Sequence, residues 1–184
     1  MSQHDHELMR RCREGDWSAL AELVDRWNDR VGRVLARLAS SPTDVDDMRQ
    51  DVFLRVFMAR RRYRPKAAFS TWLYRIVLNV ARDAARRRRT EPMGDHEPVD
   101  QNEMAEDLAQ QREVCQQVAK ALEALPAPLR EPLVLKHYSD LTFAQIAEVT
   151  GLPVSTIKSR VGAALLRLRR ALDRQGISHE ELNR

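Results

Sequence analysis

The sequence predicts an all-α protein: two small helical domains joined by a flexible acidic linker, the second domain containing a helix-turn-helix. Three observations carry this. Apolar residues recur every three to four positions from about residue 7 to 89 and again from about 112 to 174, the spacing of one helix face. Glycine is scarce, at 6 in 184 residues, and Phe, Trp and Tyr together make up 5%, whereas alanine, leucine and arginine abound, a mix that favours helix over sheet. Between the two periodic runs lies TEPMGDHEPVDQNEMAEDLAQQ, which carries Pro92, Gly94 and Pro98, seven carboxylates and no lysine or arginine. That is a linker composition. The expected boundaries are 1–89, 90–111 and 112–184. No unit repeats with the period of a solenoid. The second domain is small enough that its own core contributes only about 3–5 kcal/mol, so it is expected to gain order from a partner.

The acidic-apolar helix comes first. In DVDDMRQDVFLRVFMA (44–59), Val45, Met48, Val52 and Val56 form a core stripe with Phe53 and Phe57 beside it. Asp44, Asp47, Asp51, Leu54 and Met58 fall on a second face. Carboxylates in a first turn suit the helix dipole, but the dipole does not account for Leu54 and Met58 continuing the stripe. A face of carboxylates and apolar groups suits a protein partner with a basic helix. Next comes MARRRYRPKAAFS (58–70), whose Arg60, Arg61, Arg62, Arg64 and Lys66 surround Tyr63 and Pro65. Cations with an interleaved aromatic can hold single-stranded nucleic acid, and Tyr63 can equally pack inward. In FSTWLYRIVLNVARDAARRRR (69–89), Ser70 is a candidate cap, with Phe69 and Tyr74 as a hydrophobic staple. Leu73, Ile76, Val77, Val80, Ala81 and Ala84 form the apolar stripe, while Arg75, Asn79, Arg82 and Arg86 line a face suited to phosphates.

The last block is DLTFAQIAEVTGLPVSTIKSRVGAALLRLRRAL (140–172). Thr142 and Gln145 form a capping box. Phe143, Ile146 and Ala147 share a face, Gly151 suits a left-handed helix end, and Pro153 prevents continuation. A second helix then starts near Ser155, with Ile157, Val161, Ala164, Leu165 and Leu168 as its expected buried stripe. Ser155, Thr156, Lys158, Ser159 and Arg160, with Arg167 further along, present short polar groups and cations for base edges and phosphates. This is the arithmetic of a helix-turn-helix.

Charge and chemistry narrow the classes. Net charge is only +4, but residues 60–66, 82–89 and 158–174 are basic and 91–107 acidic, which points to a polyanion partner. Cys12 and Cys115 lie far apart without C-x-x-C spacing, so neither a disulfide framework nor a zinc knuckle is expected. MSQHDHELMRRC lacks a signal-peptide pattern and no stretch reaches spanning length, giving a cytoplasmic expectation without membrane insertion. The carboxylates at 44, 46, 47 and 51 have no histidine at ligand spacing, His4 and His6 fall in a terminus expected to fray, and no nucleophile or phosphate-loop motif is present. No catalysis, metal or cofactor is expected.

Taken in order, DVDDMRQDVFLRVF, FSTWLYRIVLNVARDAARRRR and DLTFAQIAEVTGLPVSTIKSR resemble a bacterial sigma factor of the extracytoplasmic-function (ECF) group, over about residues 8–172. The resemblance implies a first domain that binds the clamp helices of core RNA polymerase and opens the −10 element, and a second that reads the −35 element. Asp47, Gln50, Asp51 and Leu54 would face the clamp helices. Residues 60–72, including Ser70, Thr71 and Trp72, would capture an unpaired −10 base, with Arg75, Asn79, Arg82 and Arg86 along the adjacent DNA. Ser155, Thr156, Lys158, Ser159 and Arg160 would enter the −35 major groove, and the acidic linker would thread the polymerase's RNA path. An anti-sigma factor is an expected partner. Gly162-Ala163-Ala164 departs from the bulkier or basic residue common there, so fewer phosphate contacts are expected. Fully extended, residues 90–112 span about 75–80 Å, enough for two sites about 70 Å apart, two turns of DNA. The rival is an operator-binding dimer independent of polymerase; it leaves the basic 60–66 and Arg75–Arg86 stretches without a purpose.

Overall fold

The computed structural model describes residues 2–39, 41, 43–90 and 116–174, and among them every regular element is a helix. The first unit contains α1 (Ser2–Arg13), α2 (Trp17–Leu38), α3 (Asp44–Ala59) and α4 (Phe69–Thr90). The second contains α5 (116–123), α6 (Ala127–Tyr138), α7 (Phe143–Thr150) and α8 (Val154–Asp173). The acidic segment 91–111 and Cys115 lie outside the described residues.

The amino terminus corrects the expectation of fraying. In α1, Leu8 and Met9 are buried together with Cys12 one turn on, and Asp5 is 1% exposed. That buried carboxylate is compensated by Arg26 at 2.9 Å and by the Trp27 indole N–H, which donates to it at 3.3 Å. Both partners belong to α2, so a buried ionic and apolar seam fixes α1. The turn into α2 uses Gly15 at φ 95° and an Asp16 N-cap that accepts from the Ser18 and Ala19 amides. Hydrogen bonds from Ser18 and from Arg11 hold the Asp16 carboxyl down at about 2.

Helix α3 opens with Asp44, Asp46 and Asp47 and has no side-chain cap, so its amino end is met by charge. Helix α4 starts one residue before the proposed Ser70 cap: the Ala68 carbonyl accepts from the Thr71 and Trp72 amides, placing Ser70 inside the first turn. Around its start an aromatic cluster closes the unit. Trp27 meets Phe69 at 5.6 Å and Tyr74 at 6.1 Å, and Tyr63 meets Trp72 at 4.7 Å, centroid to centroid.

In the second unit the capping box on α7 forms, with Thr142 accepting from the Gln145 amide and Gln145 accepting from the Thr142 amide. Gly151 takes φ 73°, the left-handed end the turn requires, and α8 begins at Val154. The buried stripe of α8 is Ile157, Val161, Ala164 and Leu172, with Leu168 partly buried. Leu165, expected in that stripe, is 44% exposed. It lies about 80° round the helix from Ile157, on the stripe's margin.

The two units pack through α2 on α6 and α4 on α7. One apolar cluster runs without a break from Leu8 to Ala164. The apolar side of the second unit is thus continuous with that of the first.

Candidate functional site

The surfaces singled out from the sequence lie on α3, on the α3–α4 connection with α4, and on α8. On α3, Asp47, Gln50, Leu54 and Met58 point outward, Leu54 at 55% and Met58 at 70% exposure. Among the described residues no hydrogen bond or ion pair engages Asp47. Asp51 and Asp44 are half-buried, Asp51 reaching α4 only through Arg55 of its own helix and Asp44 facing Arg88 of α4. Both Asp51 oxygens accept from Arg55, at 3.1 and 3.0 Å, and Arg55 also donates to Asp83 at 2.9 Å. Asp44 stands 3.8 Å from Arg88. The six residues therefore split into an outward face and a pair that ties α3 to α4. Sequence reasoning missed Trp17, the first residue of α2, which is 66% exposed and stacks on Phe57 beside this face. Its contact crosses from one helix to another, so no periodicity reports it.

In the connection, Arg61, Arg62, Arg64 and Lys66 are exposed. Arg60 turns back onto α3, donating to the Phe57 carbonyl at 2.8 Å with its guanidinium 3.7 Å above the Phe57 ring. Tyr63 is buried, against the base-stacking expectation. Its ring packs on Phe69 and Trp72 and its hydroxyl bonds His6 of α1. Burial, with a smaller effect from Asp5, pushes the phenol up to about 12. Thr71 is buried as well, while Ser70 and Trp72 are half-buried. What the connection offers solvent is cationic, and its aromatic is an anchor.

Arg75, Asn79, Arg82 and Arg86 line the exposed face of α4 as expected. Two of them are held by groups of the second unit. Arg82 donates twice to the Glu131 carboxylate of α6, at 3.0 and 2.7 Å, and Arg75 donates to the Glu148 carbonyl of α7 at 2.6 Å. Glu148 belongs to the last turn of α7, where carbonyls lack helical partners and the helix dipole is negative. Arg86 pairs within its own helix with Asp83 and is 76% exposed. On α8, Ser155, Lys158, Ser159 and Arg167 are exposed, and Thr156 and Arg160 half-buried. Ser159 donates to the Thr156 carbonyl at 3.0 Å. A Cβ at Gly162 would meet no atom within 4 Å and Ala163 is exposed, so those two positions are open surface, whereas Ala164 belongs to the buried stripe. Among the described residues no three His, Cys, Asp or Glu side chains gather as a metal site.

Comparison with known proteins follows the same division. The Sigma-70 region 2 family matches residues 23–91 and the Sigma-70 region 4 family residues 115–168. The chain is 31% identical over 182 residues to the ECF RNA polymerase sigma-E factor of Escherichia coli K12, covering 92% of each. It is 30% identical to the RNA polymerase sigma-H factor of Pseudomonas aeruginosa, covering 94% of this chain and 93% of that one. Among solved structures, CnrH in complex with the cytosolic domain of CnrY matches at TM-score 0.73 and 29% identity, over 92% of this chain and 97% of that one. The sigma factor RpoE of Bartonella quintana, in complex with the anti-sigma factor NepR, shares the fold at TM-score 0.64 and 23% identity, over 83% of this chain and 97% of that one.

Proposed function

The chain belongs to the ECF group of the sigma-70 family of RNA polymerase sigma factors, and from that premise we propose how its surfaces divide the work of transcription initiation. As a sigma factor it directs core RNA polymerase to promoters. The outward face of α3, with Asp47, Gln50, Leu54 and Met58, seats on the polymerase clamp helices, and Asp44 and Asp51 hold that face in place. The cations of the connection and the Arg75, Asn79, Arg82 and Arg86 row take the −10 strand. Ser155, Thr156, Lys158, Ser159, Arg160 and Arg167 meet the −35 duplex. We assign the chain no catalytic step and place it in the cytoplasm with the polymerase; no helix among the described residues is long and apolar enough to cross a membrane.

One observation carries this reading. Within the first unit, adjacent helices present opposite chemistry, carboxylate and apolar on α3 and arginine on α4. A protein partner and a nucleic acid are thereby addressed by one small domain, which an operator-binding dimer does not require. Titration against core RNA polymerase followed by run-off transcription on promoter DNA is the test. One-to-one binding with promoter-dependent transcripts is expected; a chain that binds a palindromic operator and ignores polymerase overturns the proposal. An anti-sigma partner, as in the Bartonella quintana complex, is proposed for this chain also.

The contacts of Arg75 and Arg82 add a consequence. The Glu131 carboxylate occupies the place of a phosphate on Arg82, so −10 DNA has to displace it. Arg82 is half-exposed, and the pair is worth only about 0.5–1 kcal/mol. Glu131→Gln is therefore expected to raise affinity for a single-stranded −10 oligonucleotide about two- to fivefold in fluorescence anisotropy with the full chain. Unchanged affinity would show that the pair does not compete with DNA.

A further inference from the structure

We propose that Trp17 is part of the surface on which core RNA polymerase seats, carrying the α3 face across the turn between α1 and α2. The proposal rests on the reading of α3 given above and adds a residue outside that helix. Trp17 opens α2, and the core side of α2 is filled by Ala19, Leu23 and Trp27 without it. At 66% exposure its indole has no share in that core. Its ring lies on Phe57, with centroids 5.2 Å apart and planes 27° from parallel. Phe57 sits one helical turn from Leu54 and next to Met58, so Leu54, Phe57, Met58 and Trp17 make one apolar surface drawn from two helices.

That surface is built in a fixed attitude. The Gly15 turn and the Asp16 cap set the start of α2, and the Arg60 guanidinium 3.7 Å above the Phe57 ring steadies the platform beneath the indole. A rigid, exposed tryptophan brings large contact area with little ordering cost on binding, which is why such residues dominate interfaces. The occupant follows from charge and continuity. The surface runs into Asp47 and Gln50 on the same helix face, so a partner covering it meets carboxylate at one end and apolar groups at the other. Asp47 disfavours a phosphate backbone at one end, while Arg60, turned onto the Phe57 ring, marks the edge toward the cationic connection. A basic helix with apolar residues, as α3 requires of polymerase, fits the Asp47 and Leu54–Met58 ends together.

The test uses the full chain and core RNA polymerase. Trp17→Ala is expected to weaken polymerase binding ten- to a hundredfold, and Trp17→Phe to retain most of the affinity. The melting temperature and binding to −35 duplex DNA should stay at the level of the unaltered chain, because the indole is mainly exposed. If Trp17→Ala binds polymerase within twofold of the unaltered chain while Asp47→Arg does not bind, the proposal is overturned and the α3 reading stands. If neither change matters, the α3 reading itself falls, and the proposal with it. Loss of self-association in sedimentation, with polymerase affinity unchanged, assigns the patch to a second copy of the chain and also overturns the proposal.

Discussion

Asp47→Arg is expected to lower affinity for core RNA polymerase by at least about 100-fold, roughly 2.7 kcal/mol, with only a small fall in melting temperature from the cation in the first turn of α3. The position is chosen from the structure. Asp47 is exposed and is engaged by no hydrogen bond or ion pair among the described residues, so reversing its charge opposes a basic partner helix and gives up only its first-turn dipole interaction, about 0.3–1 kcal/mol. By helical spacing alone, Asp51 shares that face. In the fold, Asp51→Arg would place a second cation against Arg55 and loosen the Asp51–Arg55–Asp83 bridge between α3 and α4. Lost binding there would mix interface and stability. The measurement is a fluorescence titration with core polymerase, paired with thermal unfolding of the free chain. Undiminished binding by Asp47→Arg would remove this face from the polymerase interface.

Trp27→Ala is expected to destabilise the chain by about 3–5 kcal/mol, a large part of a typical domain's stability of about 5–15 kcal/mol. Trp27 is 3% exposed and meets Phe69 and Tyr74 of α4, while its indole N–H donates to the buried Asp5 of α1. Truncation opens a cavity among three helices and removes a donor from a buried carboxylate. Trp27→Phe weights the second effect, since it keeps much of the ring packing and loses the donor with a smaller part of the buried ring; about 1–3 kcal/mol is expected. Urea unfolding followed by far-ultraviolet circular dichroism reads both. An unchanged midpoint for Trp27→Ala would mean that the first unit does not close around this residue.

Much of the fold was legible because it is written locally. The capping box of Thr142 and Gln145, the left-handed Gly151 and the Val161 side of α8 all follow from spacings within about twenty residues. The same holds for the valine stripe of α3 and the arginine row of α4. Leu165 shows where local reading ends: helical geometry places it at the margin of a stripe, and only the neighbouring helices decide which margin is covered. Likewise, the sequence predicts fraying at the start of α1, around His4 and His6, where the local apolar pattern has not begun. Its order comes from Arg26 and Trp27, which lie outside it.

The candidate surfaces divide in the same way. The sequence by itself determined which helices carry carboxylates, arginines and short polar groups, because side-chain direction along a helix follows from a period of 3.6. Only the tertiary structure decided which of those groups are free. Tyr63 is withdrawn into the core by His6, 57 positions away, and Arg82 and Arg75 are held by groups 49 and 73 positions away. Trp17 joins the α3 face through Phe57 of another helix. Helix periodicity fixes a side chain's direction from its near neighbours, whereas burial and pairing depend on what the rest of the chain brings opposite it. That is set by packing at long sequence separation, for which the local pattern carries no signal.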